Sequence, residues 1–128
     1  MPEQNNDIIT ATPPASELVT NAIMRASQDM GLKGTQIARI VGISPATTTR
    51  MRAGSYQLAE GSKPYEISTL LLRLYLALKK VVGEDPNALR GWMHTSNADL
   101  GGKPCEKIQN VQGLVGVLGY IEMRAARI

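Results

Sequence analysis

Residues 34–54 read GTQIARIVGISPATTTRMRAG, and this stretch decides the fold. Apolar residues at helical spacing precede Gly42, which can adopt the positive φ that a tight turn needs. After the turn, Ser44 is a good N-cap and Pro45 a good first helical residue, so a second helix begins there. The spacing predicts two short helices that cross at a turn, and the small Ala38 allows them to pack closely.

A helix pair of this kind suits DNA, because its second helix can place polar and basic side chains in the major groove. Arg50 is the strongest candidate for reading a base edge, since arginine can bond both acceptors of guanine. The alternative is an ordinary helical hairpin whose charged residues are only solvated. The predicted DNA contacts on the second helix are Ser44, Ala46, Thr47, Thr49 and Arg50, and the predicted phosphate contacts are Lys33, Thr35, Gln36, Arg52 and Lys63.

The charge of the chain is concentrated around this helix pair. The formal net charge of the whole chain is only +3. Five basic residues and one acidic residue lie between positions 33 and 63, whereas the rest of the chain has nine basic and ten acidic residues. A local basic segment of this kind indicates an anionic partner, and nucleic acid is the first candidate.

The same stretch resembles the Xre/Cro class of helix-turn-helix proteins, whose pattern runs Leu-Ala-x-x-Leu-Gly-Val-Ser-x-x-Thr-Val-Ser-Arg-Trp. The matching residues are Ile37, Ala38, Val41, Gly42, Ile43, Ser44, Thr47, Thr48, Thr49, Arg50 and Met51. The departure is Thr48, where an apolar anchor is usual. A buried threonine must find a hydrogen bond there, which could weaken the second helix.

Apolar periodicity predicts helices along most of the remaining chain and no convincing strand, so the predicted fold class is all-α. Residues 1–15 are polar, contain two adjacent prolines and are expected to form a flexible tail. The predicted domains are a DNA-binding helix-turn-helix over 16–65 and a second helical domain over 66–128. The predicted helices, besides the two described, span about 17–30, with Leu18 in its apolar stripe, then 66–82, 86–94, 104–110, and 111 to the C-terminal region.

Composition excludes several classes of protein. The 128 residues suit one domain or two small ones, and they include one cysteine and one histidine, which excludes an internal disulfide framework and a Cys/His metal site. The N-terminal sequence does not resemble a signal peptide, and no stretch is apolar and long enough to span a membrane, so a cytoplasmic location is expected. No constellation of residues suggests an enzyme.

The predicted helix over 66–82 is apolar on more than one face. Its main stripe is accompanied by Leu72 and Leu76 on a second side. A helix of this kind is buried on two sides, which favours a core contact and a subunit contact in a homodimer. The alternative is a central helix enclosed entirely by its own chain.

The second half carries a turn motif that reads WMHTSNADLGGKP over residues 92–104. The large Trp92 is expected to anchor the neighbouring helices, and Asn97 can bond its own backbone to shape the turn. Leu100 is expected to enter the core, Gly101 and Gly102 allow positive φ or close approach, and Pro104 begins the next helix. The motif is interpreted mainly as a structural lock.

This motif, the short helix after it and the later helix with Val117, Leu118 and Ile121 resemble the toxin-binding domain of the MbcA/ParS/Xre antitoxins. Together with the helix pair, the resemblance covers about residues 16–128; Met93 and Ser96 depart from the family pattern. It implies an antitoxin that neutralises a RES-domain toxin, which consumes NAD or ADP-ribosylates a target. It implies no enzymatic activity and no cofactor for the antitoxin itself.

The resemblance also implies that the C-terminal end lies over the toxin's NAD pocket, with Arg124, Arg127 and Ile128 as the toxin-binding residues. The Ile128 carboxylate would occupy a site for pyrophosphate, and the arginines would pair with acidic residues around it. The alternative is a frayed helix end without a binding role, whose arginines offset the helix dipole. The expected function is therefore an antitoxin that represses its own operon by binding operator DNA. The alternative is a phage-type or metabolic repressor whose second half only dimerises or senses a ligand.

Overall fold

The computed structural model describes residues 13–128, where seven helices and an isolated β-bridge occur. Most of the tail predicted over 1–15 lies outside the described residues. The all-α fold is confirmed for the part that is described, and none of its helices has the length and apolarity to cross a membrane. The helices are α1 (Ala15–Asp29), α2 (Gly34–Val41), α3 (Pro45–Arg52), α4 (Lys63–Val82), α5 (Pro86–His94), α6 (Pro104–Lys107) and α7 (Val111–Ala125).

Polar caps followed by proline fix the beginnings of α3 and α5. The Oγ atom of Ser44 accepts a hydrogen bond from the Thr47 backbone N–H at 3.0 Å. The Oδ1 atom of Asp85 accepts one from the Asn87 backbone N–H, also at 3.0 Å. Both helix starts are confirmed, because these caps satisfy donors that a helix leaves unpaired in its first turn.

Helix α4 begins at Lys63, three residues before the predicted start at Glu66. The Oγ atom of Ser62 caps the Tyr65 N–H at 3.3 Å, and Pro64 lies in the first turn. The prediction was wrong because it treated everything before Glu66 as loop and overlooked the same cap-and-proline signal that begins α3.

Helix α6 ends at Lys107, although the prediction extended it to Asn110. Asn110 instead caps the next helix, since its Oδ1 atom accepts a hydrogen bond from the Gly113 N–H at 2.7 Å. Because Asn110 is the N-cap of α7, it lies at the boundary between the two helices and not inside α6.

Helix α4 lies at the centre of the fold and packs against α1, α2, α5 and α7. Its side chains Leu71, Leu74 and Leu78 are completely buried. All seven helices contribute to the same aliphatic core. The second half is therefore built directly onto the first, through the helix that joins them.

The first turns of α1 depart from the predicted apolar stripe. Leu18 was expected to face inward, yet half of its surface is exposed (50%). Thr20 is buried instead, and its Oγ1 atom accepts a hydrogen bond from the Leu58 N–H at 2.9 Å. The polar threonine takes an inward position because it anchors the loop between α3 and α4.

Two side-chain hydrogen bonds tie the first helices to the later ones. The Tyr75 hydroxyl on α4 donates to Asp29 Oδ2 at 2.5 Å. Burial, followed by this hydrogen bond to a carboxylate, raises the pKa of Tyr75 to about 12. Arg39 on α2 donates to Gln109 Oε1, beyond α6, at 3.1 Å.

Candidate functional site

The turn between α2 and α3 has the backbone geometry that its sequence suggests. Gly42 adopts a left-handed conformation with φ of +84°, where other residues would be strained. The N–H groups of Gly42 and Ile43 both donate to the Ala38 carbonyl, at 2.9 and 3.0 Å. These bonds close the end of α2 and fix the direction in which α3 leaves the turn.

Helix α3 and its N-cap present a polar surface to solvent, with the basic Arg50 in the last turn. Ser44 and Thr47 join their hydroxyls at 2.9 Å, and Arg50 donates to the Thr47 hydroxyl at 3.1 Å. The Arg50 guanidinium also lies 5.3 Å from the centre of the Tyr56 ring, a contact that the sequence did not suggest. Arg50 is therefore held in a defined position, while Ala46 and Thr49 lie exposed beside it.

The predicted phosphate contacts are less uniform. Lys33, Thr35 and Arg52 are exposed. Gln36 is half-buried, and its Oε1 atom accepts a hydrogen bond from the Lys33 N–H at 2.8 Å, so it caps α2. Lys63 forms an exposed ion pair with Glu66 at 3.0 Å, which offsets its charge at the start of α4.

Thr48, the departure from the Xre/Cro pattern, is buried as expected, with 1% of its surface exposed. Its Oγ1 atom lies 3.4 Å from the Ser44 carbonyl, the distance of a long hydrogen bond. The hydroxyl thus finds an acceptor one turn back in its own helix.

The turn motif after α5 is held together mainly by one asparagine. The Asn97 side chain accepts hydrogen bonds from the N–H groups of Asp99 and Leu100, at 2.9 and 3.3 Å. Its backbone N–H donates to the Gly102 carbonyl at 2.9 Å, and Gly101 adopts a φ of +77°. The loop is thereby closed on itself just before α6.

Three other motif residues lie at or near the core. Pro104 is buried and is the first residue of α6. Leu100 is half-buried and packs against the core. Trp92, expected to be the main anchor, is also only half-buried at the edge of the core. The fully buried Leu89 and Met93 hold α5 instead.

The C-terminal end of α7 is tied to this loop. Arg124 forms an ion pair with Asp99 at 3.3 Å and lies 4.6 Å from the Tyr120 ring. The Tyr120 hydroxyl donates to the same Asp99 carboxylate at 2.9 Å. Arg127 and Ile128 follow the end of α7 and are exposed, Ile128 at 77%.

Residues 77–126 match the family described as the antitoxin Xre/MbcA/ParS C-terminal toxin-binding domain. Residues 77–126 are a C-terminal toxin-binding domain of the Xre/MbcA/ParS type. The resemblance predicted over about residues 16–128 is thereby confirmed for residues 77–126, and a toxin is the partner that it implies. No curated protein matches the chain.

The toxin-binding domain comprises the last turns of α4 together with α5, α6 and α7. The α2–α3 unit lies outside the matched residues. Family members of this kind are generally not enzymes.

The toxin-binding domain also contains the cysteine and the histidine. The Cys105 sulfur lies 3.5 Å from His94 Nδ1, and His94 Nε2 lies 3.0 Å from the Gly31 carbonyl. Burial raises the pKa of the Cys105 thiol, which keeps it protonated and a poor nucleophile. These contacts join the toxin-binding domain to the turn after α1. Within residues 13–128, no group of three or more His, Cys, Asp or Glu side chains could hold a metal ion.

Sequence reasoning missed the residues that position the predicted ones. Asp99 and Tyr120 hold Arg124, and Tyr56 lies beside Arg50. The Asp99–Arg124 pair spans 25 positions. Local patterns in the sequence cannot reveal such pairs, because they form only when distant segments pack together.

Proposed function

We propose that this chain is the antitoxin of a type II toxin-antitoxin system, that it neutralises a RES-domain toxin, and that it represses its own operon. The observation that supports this most is the combination, in one chain, of a matched toxin-binding domain and a basic helix pair. In this proposal, residues 16–65 bind operator DNA, and residues 66–128 dimerise and bind toxin.

The DNA-binding part of the proposal rests on the α2–turn–α3 unit, which acts as a helix-turn-helix. Arg50 is exposed near the C-terminal end of α3 and is steadied by Thr47 and Tyr56. A side chain already held in one rotamer loses less entropy when it bonds a base. Lys33 and Arg52 flank the unit as free surface cations suited to phosphate oxygens.

The homodimer supplies the second recognition helix. Leu76 on α4 is 58% exposed, and it lies in a groove with Ala77 and Ala126 whose rim carries Arg73 and Lys80. Burial of this apolar side chain against a second copy explains its position on an otherwise amphipathic helix. Two α3 helices about 34 Å apart would then read an inverted repeat.

Neutralisation is assigned to the C-terminal end. Arg127 and Ile128 follow α7 with exposed side chains that can enter a cleft on the partner, whereas Arg124 is held by Asp99. A pocket that binds the pyrophosphate of NAD is polar, and an inserted peptide end blocks it sterically. Arg124 then serves to orient the last turn, and Arg127 and Ile128 contact the toxin.

The experiment that tests this function uses the full chain and the protein encoded beside its gene. Co-expression should rescue growth from a RES-domain protein at that locus, and the purified chain should protect an inverted repeat in the operon promoter from nuclease. Growth arrest that persists during co-expression would contradict the antitoxin role. An unprotected promoter would contradict the repressor role.

A further inference from the structure

We propose that the outward face of α7, formed by Val115, Gly116, Gly119 and Met123, is the surface on which the toxin docks, and that it receives an apolar segment of the toxin backbone at close range. This inference rests on the antitoxin function proposed above. It concerns a surface separate from the C-terminal end, which is assigned to blocking the active site.

Two glycines on this face have no role in the fold of the chain itself. A Cβ atom added at Gly116 or Gly119 would meet no atom within 4 Å. Gly113, one turn earlier, differs, because a Cβ atom there would lie 1.7 Å from the Lys107 carbonyl oxygen. Glycine weakens a helix interior more than any residue except proline, so two glycines without an internal reason point to an external one.

The face is also apolar and nearly free of charge. Val115 and Met123 are 51% and 64% exposed, while Leu114, Val117, Leu118 and Ile121 on the opposite side are buried. No Asp, Glu, Lys or Arg occurs in α7 from Val111 to Ile121. Solvent-exposed helix faces normally carry charged residues, and an exposed apolar patch marks a site of protein contact.

The glycines and the apolar side chains together define the shape of the surface. Val115 and Met123 lie two turns apart, about 12 Å along the helix. Gly116 and Gly119 lie between them and leave a shallow depression without side chains. Such a depression lets a second backbone approach closely, with Cα–H groups against carbonyl oxygens and apolar side chains on both flanks.

The toxin is the occupant that the surroundings favour. The whole face lies within residues 77–126, the matched toxin-binding domain. It continues directly into Arg127 and Ile128, so a toxin seated on the face brings its pocket to the C-terminal end. The exposed Leu76 assigned to the dimer lies on α4, in a groove that includes none of the four residues of the α7 face.

The test replaces both glycines by alanine and compares three properties of the full-length protein. The double variant G116A/G119A should raise Tm by about 3 °C or more, because alanine favours helix and meets no clash within the chain. Its affinity for the RES-domain toxin encoded beside the gene should fall at least about tenfold, because two methyl groups fill the depression. Its affinity for operator DNA should not change.

A matched control and a second variant complete the design. G91A changes a glycine of α5 that is likewise exposed and open, and it should bind toxin as the wild type does. Met123→Ser removes an exposed contact without filling the depression, and it should also weaken toxin binding.

The possible outcomes separate this proposal from the one before it. Wild-type affinity in both G116A/G119A and Met123→Ser would overturn the docking surface, and so would loss of the dimer with toxin binding intact. A wild-type chain that binds no RES-domain toxin would overturn the proposed function and the docking surface together.

Discussion

Arg50 is the single residue on which the DNA-binding proposal depends most. Replacement by alanine removes a preorganised guanidinium from an exposed position and leaves the core untouched. We expect specific operator binding to weaken by about 1–3 kcal/mol. Arg90→Ala is the control, since Arg90 is an exposed arginine on α5 that bonds Asn87 at 2.8 Å. If the promoter footprint of the Arg50→Ala variant were unchanged, Arg50 would have no role in specific operator binding.

Tyr75 gives the protein a predictable alkaline transition. Its pKa is raised from 10.0 to about 12, first by burial and then by the hydrogen bond to Asp29. Because the folded state holds the phenol proton more tightly, this contribution to stability is complete below pH 10 and is lost as the pH rises through about 12.

The measurement for Tyr75 is an ultraviolet titration of tyrosine ionisation together with urea unfolding at several alkaline pH values. Tyr75→Phe should remove the last titrating phase and flatten the fall in stability between pH 10 and 12. The same late phase in the variant would show that another group is responsible.

At the scale of helices, cap residues made much of the fold predictable. The Ser44-Pro45 and Asp85-Pro86 pairs gave correct starts for α3 and α5, since the signal is local to a few residues. The boundary between α6 and α7 was missed because Asn110 could have ended one helix or capped the next. That choice depends on packing around Gly113, which no local pattern reveals.

Exposure of single apolar residues was less predictable than helix position. Periodicity placed Leu18 in an apolar stripe and Leu72 on a second side of its helix, outside the main stripe. The structure shows Leu18 half exposed, whereas Leu72 packs against the core. The difference arises from neighbouring helices, because α1 buries Thr20 against the α3–α4 loop. The Asp99–Arg124 pair has the same origin in tertiary contact.

Leu76 on helix α4 is predicted to lie at the contact between two subunits. Leu76→Glu should give a soluble, folded monomer, because the side chain is already 58% exposed and its charge would oppose burial against a second copy. Leu18→Glu is the matched control, with an exposed leucine on another helix. Light scattering should show a monomer for the first variant and a dimer for the second.

A dimer that survives Leu76→Glu would place the subunit contact elsewhere. The Leu72 substitution is less informative, because a charge at this half-buried position would also disturb the core.

At the scale of the whole molecule, the role in neutralisation that we propose for the C-terminal end can be tested separately from folding. Removal of residues 124–128 would delete the buried Ala125 and the Arg124–Asp99 ion pair, and it would therefore damage the toxin-binding domain itself. Removal of residues 127–128 deletes only exposed positions after α7 and leaves Ala126 in the groove beside Leu76. We expect the shorter deletion to keep Tm, operator binding and toxin binding close to wild type while neutralisation is lost.

The most direct test of the proposed function is to measure NAD consumption, or ADP-ribose transfer, by the RES-domain toxin proposed as the partner, with this chain present in equal amount. The full chain should abolish the reaction, and the chain without residues 127–128 should bind the toxin yet leave the reaction running. A toxin that remains active while the full chain is bound to it would contradict the claim that this antitoxin works by closing the active site.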